Sequence, residues 1–79
     1  MSIKSKTRHS FTVKLEREDD GRWIAEIPKL PGVMAYGATK QEAMRCARAI
    51  ALRTLADSVE QGNTPPSIAH LFDYGVARR

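Results

Sequence analysis

Four carboxylates lie within five consecutive positions and come closest to a chemical site in this sequence: Glu16, Glu18, Asp19 and Asp20. Carboxylates at this density could bind a cation or serve as a general acid and base. The segment lacks the alternating oxygen ligands of a calcium-binding loop, and an acidic hairpin tip exposed to water is the favoured interpretation. A third interpretation is that the four carboxylates dock a basic partner.

The other residues capable of chemistry are scattered along the chain. His9, His70 and the single cysteine Cys46 do not form a Cys-x-x-Cys or His-x-x-x-His pattern, so we expect no metal site. Ser58 and Ser67 have no histidine at a spacing typical of a nucleophilic triad. No phosphate-binding Gly-Lys-Ser/Thr segment is present. We therefore expect no catalytic residue and no cofactor, and we do not interpret the chain as an enzyme.

Length and composition predict one small domain over residues 1–79, with a thin core that would gain stability from self-association. We find neither an apolar segment long enough to cross a bilayer nor a signal-peptide pattern, so we expect a cytoplasmic protein without a membrane partner. The net charge is +4, which permits a nucleic-acid partner without establishing one. Several of the cations lie in residues 1–8 and 76–79, which we expect to be disordered tails.

Two segments of alternating polarity, at about residues 9–17 and 22–27, predict a β-hairpin. The apolar members share one face of each strand: Phe11, Val13 and Leu15 in the first, Trp23, Ala25 and Ile27 in the second. Asp20-Gly21 between them predicts a two-residue type I′ turn with positive φ at both residues. Next comes a stiff corner formed by Pro28, Leu30, Pro31 and Gly32. A third strand follows at about residues 33–36.

A helix is predicted from Thr39 to about Gln61, with Gly62 as its C′ residue. Thr39 and Glu42 fit a capping box, and Gly37 would allow the helix to approach the sheet. The inner face of this helix collects residues at spacings of three and four: Ala43, Ala47, Ile50, Ala51, Thr54 and Leu55.

The last segment is ambiguous. Ile68, His70, Phe72 and Tyr74 alternate as in a strand, whereas Ile68, Leu71 and Phe72 would also suit a turn of helix. We predict a strand at about residues 68–73, because the first strand otherwise lacks a partner. A right-handed crossover through the helix would then place this strand parallel to the first. The fold class is a two-layer α+β arrangement, β-β-β-α-β.

The chain resembles the HicB-like antitoxin family over about residues 11–62. The resemblance is carried by the order and spacing of several motifs, of which Leu-Pro-Gly alone is weak but the combination is specific. The motif residues are Asp20, Gly21, Trp23, Pro28, Leu30, Pro31, Gly32, Gly37, Thr39 and Glu42. We expect mainly structural roles for them, in the turn, the core, the corner and the helix cap.

This resemblance implies a sheet packed on one helix, related to ribonuclease H-like or partial double-stranded-RNA-binding folds. By analogy the strand order would be 3-2-1-4. The implied function is that of an antitoxin in a type II toxin–antitoxin system. It would neutralise a HicA-type toxin, which cleaves messenger RNA, by binding it directly and covering its RNA-cleaving surface.

Two departures from the family pattern affect these expectations. Many family members continue into a DNA-binding segment, whereas this sequence stops at Arg79, so we expect no DNA binding from this chain alone. The positive net charge also means that docking to a basic toxin would depend on local acidity, supplied by Glu16, Glu18, Asp19 and Asp20, and on an apolar patch.

The alternative function is an orphan oligomeric module, or a weak RNA binder that uses its basic tails, without a toxin partner. In either case we expect a homodimer or a higher homo-oligomer, because the sheet would keep open edges.

Overall fold

The structure, a computed structural model, describes residues 11–73 and 75–77. Three strands are followed by two helices: β1 (Lys14–Arg17), β2 (Trp23–Glu26), β3 (Met34–Gly37), α1 (Lys40–Glu60) and α2 (Pro66–Ala69). The strands form one antiparallel sheet in the order β1-β2-β3, and α1 packs on it. The predicted α+β class is confirmed, and the observed sheet has three antiparallel strands packed against one long helix.

The register of the sheet assigns residues to its two faces. Leu15 pairs with Ala25 and Ala25 with Ala35, so these side chains share the face that α1 covers. Glu16 pairs with Ile24 and Ile24 with Tyr36, which places this row on the opposite face. The sheet is therefore covered by α1 on one face only.

The beginning of α1 follows the predicted capping rule with one change. Thr39 is the N-cap residue, and its hydroxyl oxygen accepts a hydrogen bond from the Glu42 N–H at 3.0 Å. The Glu42 carboxylate accepts from the N–H of Ala38 at 2.7 Å, one residue earlier than the standard box would place the bond. Two backbone donors at the helix N-terminus are thereby satisfied by side chains.

At its other end, α1 stops in a Schellman motif. Gly62 has a φ of +94°, and its N–H donates to Val59 O at 3.0 Å while the N–H of Asn63 donates to Ser58 O at 2.8 Å. The predicted C′ position of Gly62 is confirmed.

The core is built from small residues because α1 lies close to the sheet. Ala43 and Ala47 pack against Ala25, and all three are fully buried. Ala51 extends this contact to Ile27 and Val33, next to the corner. Leu55 is the remaining buried residue of the predicted stripe, whereas Ile50 and Thr54 are half-buried.

The predicted fourth strand at residues 68–73 is wrong. Residues 66–69 form the short helix α2, and residues 70–73 have no strand structure. Pro66 occupies the first turn of α2, where its fixed φ and missing N–H favour a helix start, and the N–H groups of Ile68 and Ala69 both donate to Pro65 O at 3.0 Å. The three observed strands follow the 3-2-1 part of the expected order, but residues 68–73 do not supply the fourth strand. The ribonuclease H-like assignment stays a prediction.

Of the predicted disordered tails, residues 1–8 and 78–79 lie outside the described residues. Val76 and Ala77 are described, and both are exposed and without regular secondary structure.

Candidate protein-binding surface

The acidic cluster lies at the tip of the β1-β2 hairpin, whose turn differs from the predicted one. The Gly21 N–H donates to Glu18 O at 2.9 Å and the Glu18 N–H donates to Arg22 O at 2.7 Å, which closes a three-residue loop. Gly21 alone has positive φ, at +92°, while Asp19 and Asp20 do not. This is a type I turn followed by a left-handed glycine, so the prediction of a two-residue type I′ turn is wrong.

Asp20 avoids positive φ because its side chain is engaged locally. Its carboxylate accepts the backbone N–H of Arg22 at 3.0 Å and the guanidinium Nε–H of Arg22 at 2.8 Å. These two hydrogen bonds hold the pKa of Asp20 below its ordinary value of 3.8, because both favour the charged carboxylate. The same guanidinium lies over the Tyr36 ring, 4.4 Å from its centroid. Arg22 therefore connects the acidic tip to the sheet.

The sheet face turned away from α1 carries an apolar patch beside this tip. We call it the outer face, and it comprises Lys14, Glu16, Arg22, Ile24, Glu26, Met34 and Tyr36. Met34 and Tyr36 are 42% and 44% exposed and lie next to each other on the same face of β3. Ile24 is only 8% exposed, although none of the helices within residues 11–73 and 75–77 packs on this face. Its cross-strand neighbours on this face are Glu16 and Tyr36.

The predicted site carboxylates are brought together only in part. Glu16 is exposed on the outer face, Asp19 is exposed at the turn, Glu18 is half-buried and Asp20 is paired with Arg22. Among the residues that the structure describes, neither Glu16 nor Asp19 forms an ion pair. These two carboxylates are therefore available to an external cation.

The hairpin tip and the outer face together form a surface of opposite sign to the whole chain. It contains five carboxylates and two cations, hence a net charge of −3, within a protein of net charge +4. The carboxylates are Glu16, Glu18, Asp19, Asp20 and Glu26, and the cations are Lys14 and Arg22. An apolar centre with an acidic margin is suited to a basic protein partner.

Several motif residues determine the geometry of this surface from the side of the sheet that faces α1. Trp23 is half-buried on the helix side, packs against the alanine core and lies between Arg17 and Lys40, whose charged groups are 5.6 and 5.3 Å from its ring centroid. Gly37 touches the first turn of α1. A Cβ there would overlap the backbone N of Ala43 and come within 2.9 Å of its Cα. Gly37 thus sets the distance between β3 and the helix.

The corner between β2 and β3 is a double turn. The Leu30 N–H donates to Ile27 O at 2.9 Å, and the Val33 N–H donates to Leu30 O at 3.0 Å. Gly32 has a φ of +86°, and Leu30 packs against the Ile27 cluster while Pro28 and Pro31 are exposed. The corner therefore anchors β3 beside β2 and keeps Met34 and Tyr36 on the outer face.

Sequence reasoning missed the apolar part of the surface. Met34, Tyr36 and Ile24 were not predicted as site residues, and Arg22 was treated only as part of a strand. The alternation in β3, with Val33 and Ala35 facing inward, would have indicated that Met34 and Tyr36 face outward.

The described part of the chain contains neither a group of residues suited to a metal ion nor a helix suited to crossing a membrane. No three His, Cys, Asp or Glu side chains within residues 11–73 and 75–77 are placed so that they could hold a metal ion. Cys46 is half-buried on α1, His70 is the C-cap of α2, and His9 lies outside the described residues. Over the same ranges, no helix has the length and apolar character that crossing a membrane requires.

Comparison with known proteins gives one informative similarity. The chain is 32% identical over 53 residues to the UPF0150 protein Ta0767 of Thermoplasma acidophilum, and the match covers 67% of this chain and 75% of that protein. No family model matches the chain. No solved structure matches it either.

Proposed function

The chain belongs to the UPF0150 family, and from this we propose that it is an antitoxin that neutralises a HicA-type, messenger-RNA-cleaving toxin by direct binding. Support comes from the antitoxin-related family and from the HicB-like motifs over residues 11–62. The name of the Thermoplasma protein states a family and no activity. On this proposal the chain itself catalyses no reaction.

The observation that carries the proposal is the acidic and apolar surface at the hairpin tip and the outer face. A nuclease must hold the phosphates of its RNA on a basic surface. Five carboxylates around Met34 and Tyr36 would compete for that surface with the RNA, and the apolar centre would supply the area that excludes water. Binding here would cover the RNA-cleaving groups of the toxin.

The first experiment asks whether a toxin partner exists. The open reading frame next to the gene of this chain is expressed in a bacterial host, alone and together with this chain. We expect arrested growth when the neighbouring product is expressed alone and restored growth upon co-expression. A neighbouring product that is not toxic, or that stays toxic in the presence of a soluble antitoxin chain, would contradict the proposal.

The second experiment asks which surface binds. In the variant Glu16→Lys/Asp19→Lys, two unpaired carboxylates of the surface become cations without disturbing the Asp20–Arg22 pair. We expect the association rate with the toxin to fall and its dependence on salt to weaken, with affinity reduced at least about tenfold. Asp73→Lys is the matched control, because Asp73 is exposed and lies outside this surface.

Tyr36→Ala tests the apolar part of the same surface. Tyr36 is 44% exposed and outside the buried core, so the variant should keep its fold, although it loses the ring that Arg22 contacts, and it should bind the toxin more weakly. If both the double charge reversal and Tyr36→Ala bind the toxin as tightly as the wild type, the toxin binds elsewhere.

A further inference from the structure

The C-terminal half of α1 carries a second apolar row that the sheet does not cover. Leu52, Leu55, Ala56 and Val59 are spaced by three and four residues and form what we call the α1 ridge. Leu55 is buried, but Leu52 is 66% exposed and Val59 42% exposed. Single exposed apolar residues are common, whereas a continuous row on one helix marks a contact surface.

Two apolar grooves flank the α1 ridge. The first lies between the ridge and the strand side, and Phe11, Val13, Ile27 and Arg48 contribute to its walls. The second lies between the ridge and the chain after α1, where Ile68, Leu71 and Phe72 form the far wall and Glu60 stands at the margin. Leu71 and Phe72 are 62% and 73% exposed. A ridge bordered by grooves is the shape that a helix of another molecule fits.

The distribution of charges along α1 indicates which molecule supplies the helix that fits beside the α1 ridge. The exposed side of α1 up to residue 53 carries Arg45, Arg48 and Arg53, whereas the end of the helix carries Asp57 and Glu60 and no basic residue in its last turn. Within the described part of the chain, these five residues form no ion pair. Carboxylates at a helix C-terminus face the negative end of the helix dipole, which is unfavourable unless a cation compensates them.

An antiparallel copy of α1 supplies that compensation. In a two-fold pair, the first half of each helix, which carries Arg45 and Arg48, lies beside the acidic end of the other helix. Two symmetric contacts between Arg48 of one chain and Glu60 of the other then form. The same operation sets the ridge of each copy against a groove of the other. The charges and the shape of this surface are thus complementary to a second copy of the same surface. A surface that binds an unrelated partner would not need this self-complementarity.

We propose that two copies of this chain associate through the α1 ridge, with their α1 helices antiparallel and Arg48 of each chain beside Glu60 of the other. This contact lies on α1 and the chain that follows it, apart from the acidic outer face. It does not depend on the proposed toxin binding. It also differs from the sequence expectation, which based self-association on the open edges of the sheet.

The experiment measures the molecular mass of the full chain across a range of concentrations by sedimentation equilibrium. We expect a dimer for the wild type and a monomer for Leu52→Glu, whose fold circular dichroism should show to be intact because Leu52 is largely exposed. Met34→Glu is the matched control, since it places the same charge on an exposed apolar residue of the outer face. It should remain dimeric.

Charge exchange provides a second test that does not remove an apolar residue. Arg48→Glu and Glu60→Arg should each weaken the dimer about ten- to thirtyfold, because two attractive pairs become repulsive in a symmetric contact. The double variant Arg48→Glu/Glu60→Arg should recover most of the dimer affinity that each single variant loses. The two positions are twelve residues apart on one helix, about 18 Å, so they cannot restore each other within one chain.

Several results would overturn the proposal. These are a wild type that is monomeric at every concentration, a dimer lost in Met34→Glu but kept in Leu52→Glu, and a double charge variant no better than the single ones. A Leu52→Glu variant that loses toxin binding while the wild type is monomeric would instead assign the ridge to the toxin. If removal of residues 1–10 raises the mass of a monomeric chain, the chain's own N-terminal segment covers the ridge.

Discussion

Gly37→Ala tests how closely α1 approaches the sheet. The added methyl group would overlap the backbone N of Ala43 and lie 2.9 Å from Ala43 Cα and from Glu42 C. These are backbone atoms of the capped first turn of α1, so they cannot move aside as the end of a flexible side chain could. Forcing extra atoms into such a contact typically costs 1–3 kcal/mol. In a domain of this size the whole free energy of unfolding is about 3–5 kcal/mol.

The sign of the change in the free energy of unfolding distinguishes a steric contact with α1 from an effect of backbone entropy alone. Gly37 does not have positive φ, so conformational entropy alone predicts that alanine would stabilise the strand by about 0.5–1 kcal/mol. The contact with α1 predicts destabilisation instead. Urea unfolding of a small domain has a slope of about 1 kcal/mol per molar, and we therefore expect the midpoint to fall by about 1–3 M.

Gly75→Ala is the matched control for this measurement. Gly75 also lacks positive φ, and a Cβ there would meet no atom of the described residues within 4 Å apart from its chain neighbours, so the midpoint of Gly75→Ala should stay close to the wild type. If Gly37→Ala unfolds at the same urea concentration as Gly75→Ala, the close contact between β3 and α1 does not limit the stability of the fold.

Three further predictions concern the helix cap and the hairpin turn. Thr39→Ala should cost about 1 kcal/mol in urea unfolding because the Glu42 N–H loses its acceptor, while Thr64→Ala, in an exposed loop, should cost almost nothing. Gly21→Ala should cost about 1–2 kcal/mol because its φ is +92°, and Gly21→Asn should cost less, since asparagine tolerates this region. By NMR titration the carboxyl group of Asp20 should have a pKa below 3.8, so its contribution to stability is present above that pH and is lost as the pH falls through the lowered pKa. Arg22→Ala should return this pKa only part of the way, because the backbone N–H of residue 22 still donates; a pKa unchanged by the substitution would mean that the guanidinium bond is not formed in solution.

The parts of the fold governed by local rules could be predicted from the sequence. Thr39, Glu42 and Gly62 define the ends of α1 because capping and the left-handed C′ residue depend on neighbours within one turn. Alternation of side chains was enough to assign the helix-facing residues of β1 and β2.

The turn type and the last segment were predicted incorrectly for different reasons. At the hairpin, an aspartate before glycine is compatible with positive φ, but hydrogen bonds from Arg22 to Asp20 favour a longer loop. At residues 68–73, the expectation of a strand rested on a missing partner for β1, which is a non-local argument. Pro66 at the start of a helical turn is a local signal, and it prevailed.

The candidate surface could be predicted only in its charged half. A cluster of carboxylates is visible in a sequence, whereas the exposure of Met34 and Tyr36 depends on which face of the sheet α1 covers. The exposure of Leu52 likewise depends on the packing angle of α1, because the stripe of small residues and the α1 ridge both have helical spacing.

The proposed mode of action is that this chain binds a toxin and blocks its RNA cleavage. The decisive experiment measures RNA cleavage by the purified product of the neighbouring reading frame during titration with this chain. We predict that cleavage falls to zero at a fixed molar ratio, that Asp73→Lys gives the same end point, and that Glu16→Lys/Asp19→Lys requires a large excess. Cleavage that continues unchanged at a saturating concentration of this chain, or RNA cleavage by this chain alone, would rule out this mechanism.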